Sequence, residues 1–165
     1  MKSFFCILIV LLFSLNCNAK ENTIIFLNPV IKYISTNAKN ASGYLTIKNN
    51  TDKDIILLSV SSEISKSTEI HDMKIQNDIM TMQKIEMPII IPSNTKFMLK
   101  PKGLHIMFMK IKKQLIENRK EEILFNFKNH GEFKVLMKIK KNVRYHNNDD
   151  VKHSHEHKKT IKVIK

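Results

Sequence analysis

Short segments in which apolar and polar residues alternate follow one another along residues 23–140 of this chain. In residues 43–48, for example, Leu45 and Ile47 occupy one face and polar residues or Tyr44 the other. Alternation with a period of two indicates a strand that turns one face toward a core. The segments predicted to be strands are 23–27, 30–34, 43–48, 55–60, 69–75, 79–83, 95–99, 104–109, 121–128 and 133–140.

Turn-forming residues separate these segments, and Pro29 predicts a break between the first two. Many short strands at close spacing indicate an all-β protein, an antiparallel sandwich or barrel. The one candidate helix, at residues 110–120, is short. From residue 144 to residue 165 the chain has few apolar and many charged residues, which predicts a disordered tail.

The N-terminus has the three parts of a secretion signal over residues 1–19: Lys2, an apolar run, and a small-residue end at Ala19. The apolar run, about twelve residues, is too short to span a bilayer comfortably. We expect cleavage after Ala19 and a periplasmic protein whose single domain covers residues 20–143. Attachment as a lipoprotein through Cys17 is the alternative, although Asn16 before it departs from the usual lipobox.

The chain is strongly basic, with 28 Lys and Arg against 15 Asp and Glu and a formal charge of +13. Inside a cell that balance would favour nucleic acid, and the predicted leader argues against it. An acidic protein or an anionic membrane surface is the better-fitting partner. A genome rich in Lys, Asn and Ile codons would produce the same composition without any such partner.

Cysteine and the common catalytic groupings are missing from the predicted domain. Cys6 and Cys17, the only cysteines, both lie in the leader, which excludes a His2Cys blue-copper site and a Cys-based zinc site. The sequence contains no phosphate-binding loop, and neither a carboxylate pair nor a Ser/His/Asp grouping is evident. We therefore do not expect an enzyme.

Histidine and methionine are instead concentrated between residues 69 and 109, which hold two histidines and seven of the nine methionines. Imidazoles with thioethers form a soft ligand set that suits copper, above all Cu(I). His105 and Met107, two residues apart on a strand, share one face. If Gln76-Asn77 is a two-residue turn, His71 lies directly opposite Met82. A three-residue loop would instead place those two on opposite faces.

A single methionine is more often a core residue than a ligand, because its flexible side chain fills irregular gaps. Met98 and Met137 are therefore expected in the core. Met73, Met80 and Met109 are also expected to be core residues, with a supporting or transient contact to an ion as the alternative.

The four residues His71, Met82, His105 and Met107, in this order and spacing, resemble the signature of the PCuAC-type periplasmic copper chaperones. The flanking sequences EIHDM, IMTMQKIE and LKPKGLHIMFM match as well, and the resemblance covers nearly all of residues 23–140. Three positions depart from the family: Val30 where Trp is frequent, and Lys102 and Leu104 in place of a frequent Gly and an aromatic residue. None of them removes a ligand.

This resemblance implies a cupredoxin-like β-sandwich without a blue-copper centre. It also implies that Cu(I) is bound by the two histidines and two methionines and is delivered to the CuA site of cytochrome c oxidase. A periplasmic copper-buffering or tolerance protein without a dedicated recipient remains an alternative. So does a basic β-sandwich interaction module that binds no metal.

The tail carries a second group of histidines at alternate positions, His153, His155 and His157. Nitrogen-rich ligands favour Cu(II) or Zn(II) over Cu(I). These residues are therefore either an accessory metal site or incidental histidines of a solvated tail.

Overall fold

The computed structural model describes residues 23–76 and 79–142, and this part of the chain consists of β-strands without a helix. All the segments predicted to be strands are strands. The ten strands are β1 (Ile24–Tyr33), β2 (Asn40–Asn49), β3 (Ile55–Ser62), β4 (Ser65–Gln76), β5 (Ile79–Lys84), β6 (Ile89–Ile91), β7 (Lys96–Leu99), β8 (His105–Ile111), β9 (Lys120–Phe127) and β10 (Gly131–Lys141).

Two local expectations are wrong. Residues 110–120 form no helix, since β8 continues to Ile111 and irregular chain then leads to β9. Pro29 does not divide the first strand, because β1 absorbs it in a bulge between Leu27 and Val30. Asn28 has a φ of 53° there, a conformation that asparagine tolerates better than most residues.

The three-residue strand β6 is an addition to the predicted set, in the proline-flanked apolar run. It pairs with β3, and the buried side chain of Asn49 fixes the chain that follows it. The Asn49 Nδ2 group donates to the carbonyl oxygens of Ile91 at 3.1 Å and Pro92 at 3.0 Å. These bonds satisfy buried backbone oxygens that would otherwise destabilise the fold.

The strands form one mixed sheet in the order β5-β4-β8-β2-β1-β10-β9-β3-β6, and β7 pairs with β2. All pairs are antiparallel except β1 with β10. Residues 40–43 of β2 pair with β8, whereas residues 45–48 of β2 pair with β7. Strand β2 therefore connects β8 to the rest of the sheet.

A single core lies on one face of this sheet. Burial alternates along β2 and β10, so that Leu45, Ile47, Met137 and Ile139 point inward. Phe26 packs against Phe125, with ring centroids 5.2 Å apart. In β4 and β8, Ile70, Ile106 and Phe108 point into the core, which leaves the opposite face of these strands for the histidines and methionines.

The expectation that Met98 and Met137 are core residues holds for one of them. Met137 is completely buried, whereas Met98 is 51% exposed. Met98 precedes the buried Leu99 in β7, and neighbouring residues of a strand point to opposite faces. The position of Met98 in the alternation therefore keeps it out of the core.

The predicted leader, residues 1–19, and the tail, residues 144–165, lie outside the described residues. Within residues 23–76 and 79–142 no helix is long and apolar enough to cross a membrane.

Gly43 tests the contact between β2 and β8 that the fold depends on. A Cβ atom at this position would lie 2.8 Å from Cε2 of Phe108 and 3.1 Å from Cβ of Ile106, both fully buried. We expect Gly43→Ala to lower the free energy of unfolding by about 1–3 kcal/mol through overpacking. Chemical denaturation measures this loss.

Gly103→Ala is the matched control, because the nearest atoms to a Cβ there are 3.7 Å away. An equal effect of the two substitutions would contradict the close approach of β2 and β8.

Candidate metal site

The hairpin of β4 and β5 has a different register from the one predicted. Met73 lies opposite Met82, and His71 lies opposite Lys84, so the expectation that His71 directly opposes Met82 is wrong. The observed pairing is shifted by two residues from the predicted one. Because side chains alternate with a period of two, this shift leaves His71 and Met82 on the same face.

The second partner of β4 brings the two histidines together. His71 lies directly opposite His105 in the antiparallel pair of β4 and β8, and their ring centroids are 6.3 Å apart. Two imidazoles whose nitrogens lie at about 2 Å from one metal ion have centroids roughly 5–6.5 Å apart. The spacing of the two rings lies at the upper end of this range and is compatible with one shared ion.

His105 is held in one orientation by the turn before β8. Its ring is buried, with 3% of the residue exposed, and Nδ1 lies 2.8 Å from the carbonyl oxygen of Gly103. A carbonyl only accepts, so Nδ1 carries the proton and Nε2 keeps its lone pair. That lone pair is what a metal ion needs.

His71 is oriented the opposite way, by a carboxylate. Its Nε2 lies 3.0 Å from Oε2 of Glu69, and Glu69 also lies 3.5 Å from the Lys84 ammonium. The hydrogen bond with His71 holds the pKa of Glu69 below its ordinary value, so the carboxylate stays an acceptor. Nδ1 of His71 is left buried without a hydrogen-bond partner among the described residues.

A buried nitrogen without a hydrogen-bond partner destabilises the folded protein unless an ion or another group binds it. In protein metal sites, a histidine that binds the metal through one ring nitrogen usually donates a hydrogen bond from the other nitrogen to a carboxylate or a backbone carbonyl. Both histidines have this arrangement: His71 pairs with the Glu69 carboxylate, and His105 pairs with the Gly103 carbonyl.

The two predicted thioether ligands line one cavity, and neither His71 nor His105 is among the residues that line it. Met82 and Met107 both contribute to a cavity of about 190 Å³, together with Ser42 and Tyr44. Met107 accepts a hydrogen bond from Oγ of Ser42, with the oxygen 3.6 Å from the sulfur. The Tyr44 ring centroid lies 6.4 Å from that of His105. Met82 is 48% exposed, so the cavity opens to solvent on the side of β5.

The other methionines of this region differ in burial. Met73 and Met109, which were expected in the core, are instead half-buried on the strand faces of His71 and Met107, respectively, because they occupy the outward positions of the alternation. Met87 packs against the core. The side chain of Met80, and the histidines His153, His155 and His157, lie outside the described part of the chain.

Among the residues that the structure describes, no group of three or more His, Cys, Asp or Glu side chains is arranged to hold a metal ion. A larger open crevice of about 410 Å³, lined by residues 36–39 and 111–114, contains neither histidine nor methionine. The two imidazoles with adjacent thioethers are thus the soft-ligand cluster of the described chain.

Sequence reasoning missed the residues that support this cluster. Glu69, Ser42 and the Gly103 carbonyl determine which ring nitrogen or sulfur is available, and Tyr44 lines the site. The sequence could have indicated Glu69, since it lies two residues before His71 and therefore shares a strand face with it. Ser42 and Tyr44 belong to β2, and nothing in the sequence pairs them with Met107 and His105.

The hydrogen bonds predict opposite tautomers for the two histidines. At about pH 8, where an ordinary imidazole is neutral, we expect a proton on Nδ1 of His105 and on Nε2 of His71. Nitrogen-15 NMR of the rings measures this directly. Glu69→Ala should mix the tautomers of His71 and leave His105 unchanged, whereas a proton on Nε2 of His105 in the unsubstituted protein would contradict the geometry.

Comparison with solved structures finds the same fold in PCuAC domains. The "Apo PCuAC domain from PmoF1" is 25% identical, with a TM-score of 0.60, and the match covers 72% of this chain and 94% of that one. The "Copper-bound PCuAC domain from PmoF2" is 19% identical, with a TM-score of 0.60 and coverage of 72% and 93%. The Cu(I) form of DR1885 from Deinococcus radiodurans is also 19% identical, with a TM-score of 0.53 and coverage of 72% and 78%.

No curated protein sequence matches this chain significantly. A family model, described as that of an LpqE-like lipoprotein, matches residues 24–139. The resemblance to PCuAC-type proteins is confirmed, and so is the predicted fold class. The chain belongs to the LpqE-like family, and its fold is that of the PCuAC domain.

Proposed function

We propose that this protein binds one Cu(I) ion through His71, Met82, His105 and Met107 and delivers it to another copper protein. The observation that supports this most is the pair of facing imidazoles, each with one lone pair free, beside a cavity lined by two thioethers. The solved relatives described as copper-bound favour copper over other soft ions.

The ligand types explain the preference for Cu(I). Thioethers are soft neutral donors, and two of them with two imidazoles suit Cu(I) better than zinc or a hard cation. Unlike thiols, thioethers form no disulfides, so the site stays intact in an oxidising compartment.

The exposure of the ligands explains how the ion is released. His105 is buried and fixed, whereas Met82 is half-exposed on β5, the edge strand of the sheet. A recipient can therefore replace the Met82 sulfur first while the histidines still hold the ion. In this intermediate both proteins bind the copper ion, so no free copper is released.

We propose export to the periplasm as the setting and the CuA-bearing subunit of cytochrome c oxidase as the recipient. The predicted leader and the family's description as lipoproteins support export, and the resemblance to PCuAC-type chaperones supports the recipient. The role is one of transport, so no catalytic residue is assigned. The tail histidines His153, His155 and His157 remain a proposed accessory site for Cu(II).

A Cu(I) titration of the full mature chain against a Cu(I)-specific chelator tests the ligand assignment. We expect one tight site. Met82→Leu and His105→Ala should each weaken it by at least about 100-fold, more than the loss of an outer hydrogen-bond partner usually causes. Folding should persist in Met82→Leu, because this side chain is half-exposed.

Met98→Leu is the matched control, since Met98 is similarly exposed and does not line the cavity. Equal Cu(I) affinity of the Met82→Leu and Met98→Leu variants and the unsubstituted protein would exclude Met82 as a ligand.

A further inference from the structure

Four lysines lie together on the sheet face that bears the histidines and methionines. They are Lys32 on β1, Lys138 and Lys140 on β10, and Lys120 on β9, and we call them the basic strip. Ile31, Met137 and Ile139, which adjoin Lys32, Lys138 and Lys140 in sequence, point into the core, so these three lysines point outward. Lys120 lies directly opposite Lys138 and therefore shares its face.

The register of the sheet places the basic strip in line with the proposed copper site. Lys140 lies opposite Lys32, Lys32 opposite Ser42, and Ser42 opposite Met107. Adjacent strands are about 4.8 Å apart, so this row extends roughly 15 Å from Met107. Lys32 also lines the cavity that contains both thioethers.

The strip contains like charges that face each other. Lys32 opposes Lys140 in β1 and β10, and Lys138 opposes Lys120 in β10 and β9. Directly opposed like charges destabilise a sheet. Among the described residues no carboxylate lies within ion-pair distance of these four lysines, whereas Lys84, Lys113 and Lys134 each have one.

Apolar and aromatic side chains accompany the strip. Leu136 and Ile34 are each 55% exposed, and Lys32 lies 6.0 Å from the centroid of the Tyr44 ring. Exposed apolar and aromatic groups surrounded by charges are typical of protein–protein interfaces. The arrangement differs from an evenly solvated charged face.

We propose that the basic strip docks an acidic face of the protein that receives copper, and so brings the recipient to the cavity beside Met82 and Met107. This inference rests on the proposed function. Complementary charge would offset the repulsion among the lysines and steer the encounter. A protein fits better than a lipid surface, because the strip continues directly into the site from which the ion must leave.

Stopped-flow transfer of Cu(I) from the full mature chain to an apo CuA domain with an acidic surface tests the proposal. We expect Lys138→Glu/Lys140→Glu to slow the bimolecular step at least about tenfold at low salt, as changes in steering charge do. Its Cu(I) affinity should be unchanged, because neither lysine lines the cavity. Salt should slow the unsubstituted protein and affect the variant less.

Lys53→Glu/Lys128→Glu is the control with the same change of net charge. Both residues are exposed and line a separate pocket with Asp54 and His130. Lys128 follows the end of β9 that lies farthest from Lys120. This control should transfer copper at the unsubstituted rate.

Equal slowing in the two double variants would overturn the proposal, because it would show a net-charge effect without a docking face. The proposal would also be overturned if Lys138→Glu/Lys140→Glu transferred copper at the unsubstituted rate but no longer bound phosphatidylglycerol vesicles. The basic strip would then be a membrane-binding surface. Absence of transfer from a chain that still binds Cu(I) would reject both the recipient and the docking partner. Failure to bind Cu(I) at all would reject the proposed function itself.

Discussion

The candidate site depends on the register between β4 and β8. These strands turn Ile70, Ile106 and Phe108 into the core and therefore turn His71 and His105 outward, opposite each other. A slip of β4 by one residue would expose Ile70 and turn His71 toward the core, away from His105. The packing of the hydrophobic core thus fixes the distance between the two rings. The two histidines are therefore in place before any metal ion binds.

Hydrogen bonds then decide which atoms of the site remain free. The Gly103 carbonyl and the Glu69 carboxylate each occupy one nitrogen of a histidine, and the other nitrogen is left to bind. Glu69 also contacts Lys84 on β5, two residues from Met82. The same carboxylate therefore orients one ring and ties it to the strand that carries a thioether.

The sequence predicted much of this arrangement, because alternation identifies strands and places residues i and i+2 on one face. That rule was enough for His105 with Met107. The hairpin register failed, since Asn77 and Asp78 are both suitable turn residues, so the sequence allows a two-residue turn at 76–77 or at 77–78. The error was an even number of residues, so the face of Met82 was unaffected. The bulge at Asn28 and the pairing of Ser42 with Met107 depend on contacts between distant segments, which local patterns do not report.

X-ray absorption at the copper edge of the full chain, loaded with one equivalent of Cu(I), tests the proposed coordination most directly. The account predicts both nitrogen and sulfur scatterers in the first shell, with one sulfur lost in Met82→Leu and none lost in Met98→Leu. A first shell of nitrogen and oxygen alone would contradict it, and copper would then be bound by histidines without the thioethers of the cavity.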